Sequence, residues 1–152
     1  MAARLGGRPQ PLRWDSRCNR RPHPFYVGLG IDLETVEQEH AKAARLVCSR
    51  QELGWSLHAD GRAEESSQVR QTLLFSAKES VFKALFALGQ GPVNLSDIQL
   101  VSSEPRESFV VRLKRGARAM LAVGSAPVVH YQLTTTRVLT WTWLGRSTGR
   151  PQ

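Results

Sequence analysis

The stretch Phe75–Leu88, FSAKESVFKALFAL, predicts a helix on which the rest of the chain packs. It lacks Gly and Pro and is rich in Ala, Leu, Lys and Glu, which favour helix. One apolar face follows from spacings of three and four residues and contains Leu74, Ala77, Val81, Leu85 and Leu88. A second apolar strip contains Phe75, Phe82 and Phe86. A helix that is apolar on two sides is expected to pack on two sides.

Two charged residues of this helix, Glu79 and Lys83, are four positions apart and therefore share a face beside the aromatic strip. Taken alone, such a pair is a surface ion pair that stabilises a helix by about 0.2–0.5 kcal/mol. If the helix is packed on two sides, the same pair lines a groove instead. Both interpretations stay open on these two residues alone.

The composition indicates one domain without a membrane span. The chain has 152 residues and 41% apolar residues, both ordinary for a single globular domain. No apolar run approaches the roughly 20 residues that a spanning helix needs, and the N-terminus lacks the apolar core of a signal peptide. Cys18 and Cys48 match neither a metal-site spacing nor a disulfide framework, so we expect a cytoplasmic protein.

The net charge of +8 is unevenly distributed, because six arginines and one aspartate lie in residues 1–24. That segment shows no helical or strand period and is interrupted by four prolines, so we predict a disordered basic leader over 1–24. The folded domain is expected over 25–145 and a loose tail over 146–152.

A nucleic-acid-binding module is one alternative, supported by charge alone. In the folded part the candidate basic cluster contains Arg112, Lys114, Arg115 and Arg118. A solvated face explains these four residues more simply. Trp141 and Trp143 share one strand face and are able to stack a nucleobase, but packing onto the sheet is the favoured interpretation. We therefore predict no nucleic-acid partner.

The segment FYVGLGIDLE, residues 25–34, predicts a strand. Side chains alternate along a strand, so Asp32 and Glu34 point to one face while Ile31 and Leu33 point to the other. Two adjacent carboxylates repel each other unless a cation joins them. A solvated strand edge is the alternative.

The remaining elements predict an α+β fold, with an antiparallel sheet packed on a long central helix. Thr35 is the expected cap of a helix over 36–48, residues 54–61 the expected loop, and 63–88 the long helix, ended by Gly89, Gly91 and Pro92. Strands are expected over 94–101, 108–113, 128–133 and 138–144. The last two form an antiparallel hairpin.

Five charged residues, two on the first strand and three on the long helix, suit one chemistry. They are Asp32, Glu34, Lys78, Glu79 and Lys83. Three carboxylates and two lysines are typical of a site that holds a hard divalent cation against a diphosphate. The chain has no Gly-rich phosphate loop, which excludes a P-loop or kinase arrangement.

The two motifs GIDLE and FSAKESVFKAL resemble those of the 4′-phosphopantetheinyl transferases, specifically the subgroup of enterobactin synthetase component D. The family signatures are a G-I-D-x-E strand and a helix reading W/F-x-x-K-E-x-x-x-K-A. Both are met here at every charged position. The ending VVHYQLTTTRVLTWTWLG also resembles the terminal hairpin of that subgroup, so the resemblance covers roughly residues 26–144.

The resemblance implies Mg²⁺-dependent transfer of the phosphopantetheine arm of coenzyme A to a serine of an apo acyl or peptidyl carrier protein, in siderophore or other nonribosomal peptide or polyketide synthesis. It implies that Asp32, Glu34 and Glu79 hold Mg²⁺ and that Glu79 is the candidate base for the serine proton. Lys78 and Lys83 would contact coenzyme A.

The chain also departs from the subgroup. Its full-length members resemble pseudo-dimers of two similar halves, and this chain corresponds to the C-terminal half. A Ser-His motif that precedes the strand in those members is missing at Asp15–Cys18, and we do not transfer its role to His23. The short trimeric holo-ACP synthases are similar in length but lack the Glu two residues after the strand Asp. An inactive truncated fragment is therefore an alternative to an active transferase.

Overall fold

A long helix packs on a five-stranded antiparallel sheet in the computed structural model, which describes residues 27–58, 66–88, 93–103, 108–114 and 126–145. The strands are β1 (Val27–Thr35), β2 (Ile98–Ser103), β3 (Ser108–Leu113), β4 (Val128–Leu133) and β5 (Arg137–Gly145). The helices are α1 (Gln38–Val47), α2 (Arg50–Leu57) and α3 (Ser67–Ala87), with a 3₁₀ turn at Leu95–Asp97. The strand order β1-β5-β4-β3-β2, antiparallel throughout, confirms the predicted fold class. The predicted leader and tail lie outside the described residues.

The core lies between α3 and the inner face of the sheet. The predicted apolar face of the helix supplies Leu74, Ala77, Val81 and Leu85, each at most 1% exposed. The sheet supplies Leu100, Phe109, Val111, Val129, Val138 and Leu144. The second predicted strip is only partly covered, because Phe86 is 73% exposed while Phe82 packs at the edge of the core. The expectation that α3 packs on two sides holds through α1 and α2, which also contact it.

Helix α3 lies against the backbone of β1 because two glycines leave room for it. A Cβ at Gly30 would lie 1.8 Å from the Ser80 carbonyl oxygen, and one at Gly28 would lie 2.3 Å from the Ala84 carbonyl oxygen. Real Cβ atoms do not approach so closely, so both positions require glycine. This contact fixes which face of β1 meets the helix.

As a result, the face of β1 that meets the helix carries glycines and acids, and the opposite face exposes apolar side chains to water. Leu29, Ile31 and Leu33 are 63%, 57% and 60% exposed, and Trp143 of β5, opposite Leu29, is 53% exposed. The outer sheet face consists of Leu29, Ile31, Leu33, His130, Trp141 and Trp143. Both tryptophans stack on His130, with ring centroids 5.8 Å and 5.2 Å away.

The helix boundaries differ from the predicted ones in two places. Residues 54–57 belong to α2 and not to a loop; Ser49 caps that helix by accepting a hydrogen bond from the Glu52 amide, while the Glu52 carboxylate accepts from the Ser49 amide. The expected cap Thr35 is also wrong, because α1 begins at Gln38 after Glu37.

The other predicted elements need smaller changes. Helix α3 begins at Ser67, capped by Ser66, and residues 63–65 of the predicted helix lie outside the described residues. Strand β2 begins at Ile98, after the 3₁₀ turn, and not at residue 94. Strands β3 and β4 have the predicted bounds. Among the described residues, no helix combines the length and the apolar character that a membrane crossing requires.

Candidate active site

Asp32 is the most buried carboxylate of the predicted site. It lies on the α3 side of β1 and is 6% exposed. Its Oδ1 accepts a hydrogen bond from Lys83 Nζ at 2.5 Å. Its Oδ2 is buried and meets no hydrogen-bond donor among the described residues. A buried carboxylate oxygen without a donor is costly, so this atom is suited to a cation.

Glu34 lies two residues along the same strand face and is partly exposed. Its Oε2 is 3.1 Å from His40 Nε2. Partial burial raises the pKa of Glu34 and the negative charge of Asp32 raises it further, while His40 and Lys83 lower it. The two carboxylates predicted to share a face therefore act on each other through space.

Glu79 approaches these acids from α3. Partial burial raises the pKa of Glu79, and the charge of Asp32 raises it further, against a smaller effect of Lys83. The same three acids raise the pKa of Lys83, whose hydrogen bond with Asp32 is the largest cause. The structure thus brings together four of the five predicted site residues, from β1 and α3.

The carboxylates of Asp32, Glu34 and Glu79 are oxygen donors of the kind that a hard divalent cation prefers. Among the described residues, no three His, Cys, Asp or Glu side chains converge into a ready-made metal cage. Mg²⁺ does not need such a cage, since it is usually bound through one or two carboxylates and completes its shell with water and substrate phosphates. Asp32 Oδ2, which is buried without a donor among the described residues, is the oxygen best placed to meet such an ion.

Lys78, the fifth predicted residue, lies in the interior instead. It is 0% exposed, and its Nζ forms an ion pair with Glu52 Oε1 at 2.9 Å. The same ammonium donates to the carbonyl oxygens of Leu95 and Ile98. All three ammonium protons thus have acceptors inside the fold. The predicted contact of Lys78 with coenzyme A stays a prediction, and it requires this group to leave its interior partners.

The sequence analysis missed Glu52. This carboxylate joins three elements, because it caps α2, accepts from the Leu100 amide at 2.9 Å and pairs with Lys78 of α3. The sequence signal for Glu52 was the capping-box spacing from Ser49 to Glu52, which marks the start of a helix that was not predicted. Cys48 lies close by, and burial raises the pKa of its thiol to about 12, so the thiol stays neutral.

Ser76, Ser80 and Thr140 form a polar seam, also missed, that joins α3 to the sheet beside the acids. Thr140 Oγ1 donates to the Ser76 carbonyl at 2.9 Å, and Ser80 Oγ donates to the Thr140 carbonyl at 3.1 Å. All three side chains are buried. Because Thr140 lies opposite Asp32 in the β1–β5 register, the seam holds α3 at the height of the acids.

Three solved structures of low sequence identity share the fold. They are the holo-ACP synthase of Plasmodium yoelii (TM-score 0.58, 15% identity, 82% of this chain and 98% of that one), the ACPS–CoA complex of Chronobacterium ammoniagenes (0.61, 16%, 80% and 98%) and the Helicobacter pylori holo-[acyl-carrier-protein] synthase in complex with coenzyme A (0.57, 15%, 77% and 98%). This chain thus spans nearly the whole length of each.

No curated protein matches the chain by sequence. A family model, described as the 4′-phosphopantetheinyl transferase superfamily, matches residues 28–136 and so covers both motifs, all of β1 but its first residue, and the site on α3. The chain belongs to the 4′-phosphopantetheinyl transferase superfamily.

Proposed function

We propose that this chain transfers the 4′-phosphopantetheine arm of coenzyme A to a serine of an apo carrier protein, with Mg²⁺ as cofactor. The observation that carries the proposal is the buried Asp32 carboxylate, with one oxygen paired to Lys83 and the other without a donor among the described residues. Family membership and the coenzyme A complexes of two similar structures support it.

In the proposed reaction, the serine hydroxyl oxygen attacks the phosphorus that bears the pantetheine arm. The new bond joins serine oxygen to phosphorus, the bond to the bridging oxygen breaks, and 3′,5′-ADP leaves. Glu79 accepts the serine proton, directly or through water. Glu79 lies on α3 beside the acids of β1, and in the metal-free chain burial and the charge of Asp32 raise its pKa.

The other residues bind and orient. Asp32, Glu34 and Glu79 would hold Mg²⁺, and the ion would neutralise charge on the diphosphate. Lys83 is 46% exposed at its side chain and carries a raised pKa, so it remains an ammonium able to meet a phosphate at the surface. Phosphoryl transfer depends mainly on such positioning and charge neutralisation.

We propose a siderophore or other nonribosomal peptide pathway in the cytoplasm as the setting. Support comes from GIDLE, in which Glu34 follows Asp32 by two residues, and from the resemblance of the β4–β5 hairpin to the enterobactin synthetase component D subgroup. A peptidyl carrier domain is then the preferred partner, and a fatty-acid carrier protein the competing one.

The test is an assay of both apo carriers with coenzyme A and Mg²⁺, read by intact mass. We expect one phosphopantetheine arm per carrier, with faster modification of the peptidyl carrier. Equal or faster modification of the fatty-acid carrier would contradict the siderophore setting alone. No modification of either would overturn the transfer and favour the inactive fragment.

Matched variants separate the site from the rest of the chain. Glu79→Gln and Asp32→Asn are expected to reduce transfer by about 10²-fold or more, as expected for loss of a general base or of a charge-stabilising group. Glu39→Gln is the control, because Glu39 lies exposed in the first turn of α1. Wild-type rates in Glu79→Gln would remove Glu79 from the proposed mechanism.

A further inference from the structure

His40 of α1 lies beside the site and contacts both β1 and α3. Its Nδ1 donates to the Thr35 carbonyl oxygen at 2.8 Å, and its Nε2 is 3.1 Å from Glu34 Oε2. Its ring stacks on Phe75 of α3, with centroids 6.0 Å apart and planes within 10°. His40 itself belongs to the first turn of α1. One ring thus connects the end of β1, the start of α1 and the aromatic position of the helix motif.

These contacts fix both the position and the plane of the His40 ring. The bond to Thr35 fixes one edge, the stack on Phe75 fixes the plane, and the opposite edge therefore faces the Glu34 carboxylate. The His40 side chain is only 25% exposed and that of Glu34 only 21%. When both ring nitrogens carry a proton, Nε2 donates to Glu34 Oε2, so the carboxylate loses rotational freedom and the direction of its other oxygen is set.

His58 provides an internal comparison. Its Nδ1 makes the same kind of bond, to the Gly54 carbonyl at 2.7 Å, at the end of α2. His58 is exposed, and among the described residues no carboxylate forms an ion pair with it. The bond to a backbone carbonyl is therefore common to both histidines, while the contact with a site carboxylate distinguishes His40.

We propose that His40 is a positioning residue for the cation site: it holds Glu34 by Oε2 so that Oε1 is presented to the divalent cation. Phe75, the aromatic residue at the first position of the helix motif, supports His40 from behind. This inference rests on the proposed function, because it assigns a role within the same metal site. It adds a residue that neither motif contains.

The test measures Mn²⁺ affinity by calorimetry in the presence of coenzyme A. His40→Leu keeps an apolar contact for Phe75 but removes both nitrogens, and we expect about a tenfold or greater loss of Mn²⁺ affinity. His40→Gln restores a donor toward Glu34 and should recover most of that loss. His58→Leu is the matched control and should leave the affinity unchanged. Thermal melts of all four proteins follow the fold independently of the metal.

A double-mutant cycle assigns the effect to Glu34. In a Glu34→Gln background, His40→Leu should cause little further loss, since the group that it positions is gone. Full additivity in this cycle would overturn the positioning role, and so would His40→Leu binding Mn²⁺ as tightly as the wild type. Equal losses in His40→Leu and His40→Gln, with equal drops in melting temperature, would show a merely structural role and overturn it as well. Absence of Mn²⁺ binding in the wild type would instead overturn the proposed metal site and this inference together.

Discussion

Three carboxylates of β1 and α3 act electrostatically on Lys83, and two of them have pKa values shifted by the fold. The folded chain holds Glu34 and Glu79 with raised pKa values, mainly through partial burial and secondarily through Asp32. A glutamate whose pKa is raised on folding binds its proton more tightly in the folded state than in the unfolded one. Its contribution to stability is therefore largest in acid and is lost as the pH rises through the folded pKa.

Replacing Glu79 should make this effect visible. In metal-free buffer, we expect Glu79→Gln and the wild type to have similar free energies of unfolding below the ordinary glutamate pKa. The variant should become the more stable of the two as the pH rises to neutral, because glutamine stays uncharged. Urea unfolding across this pH range measures the difference, with Glu39→Gln as control. A difference that does not change with pH, or that favours the wild type at neutral pH, would contradict the assignment.

The buried pair of Lys78 and Glu52 allows a second prediction at this scale. Lys78→Met leaves the Glu52 carboxylate buried without its cation, so we expect a loss of about 3–5 kcal/mol of unfolding free energy. Adding Glu52→Gln removes the stranded charge and keeps an acceptor for the Leu100 amide, so the double variant should be more stable than Lys78→Met alone. Denaturant melts of the single and double variants measure the two free energies of unfolding. A double variant less stable than the single one would show that Lys78 and Glu52 do not depend on each other.

Individual residue positions were predictable to different degrees. The alternation of β1 was enough to place Asp32 and Glu34 on one face, and the helical period was enough to place Glu79 near Lys83. The position of Lys78 was not predictable, because its partners Glu52 and the carbonyl of Ile98 depend on how α2 and β2 pack. The motif names a lysine but does not indicate which way its side chain turns.

At the scale of elements, the contact between β1 and α3 determines the site. Gly28 and Gly30 allow the strand to touch the helix backbone, and this contact brings Asp32 to Lys83. A strand with one buried face normally turns its apolar residues inward. In β1 the apolar residues point outward instead, because only glycines fit against the backbone of α3.

The glycine contact is tested by adding one methyl group. Gly30→Ala should cost about 1–3 kcal/mol or more, because its Cβ would meet the Ser80 carbonyl oxygen at 1.8 Å. Gly54→Ala is the matched control, since no atom lies within 4 Å of the added Cβ in α2. That control should stabilise the chain by up to about 1 kcal/mol through helix propensity. Equal effects of the two substitutions in denaturant melts would contradict the close contact.

Element types were predictable where the pattern was strong. The bounds of β3 and β4 followed from composition, and α3 followed from a long periodic pattern. Helix α2 was missed because the run from Gly54 to Gly61 suggested a turn, although the capping box of Ser49 and Glu52 marked a helix start. A glycine within a short helix lowers its propensity, and here packing of Trp55 against Phe109 of β3 offsets this, with ring centroids 5.2 Å apart.

For the whole molecule, the sequence was sufficient to predict an antiparallel sheet on a central helix, because strands and helices are grouped along the chain. The strand order was not predictable in full. The pairing of β1 with the last strand, β5, joins residues more than a hundred positions apart, such as Asp32 and Thr140, and no local pattern encodes it. The same long-range pairing places the polar seam beside the acids.

The outer sheet face has a consequence for the heat capacity of the protein. Leu29, Ile31, Leu33 and Trp143 remain more than half hydrated in the folded chain, so unfolding brings less additional hydrocarbon into water. We therefore expect a heat-capacity change of unfolding below the usual range of about 12–15 cal/mol/K per residue, and a correspondingly flat dependence of stability on temperature. Scanning calorimetry over a range of pH values measures this quantity. A value within or above the usual range would mean that this hydrocarbon is covered in solution, and a heat-capacity change that varies with protein concentration would reveal self-association as the cover.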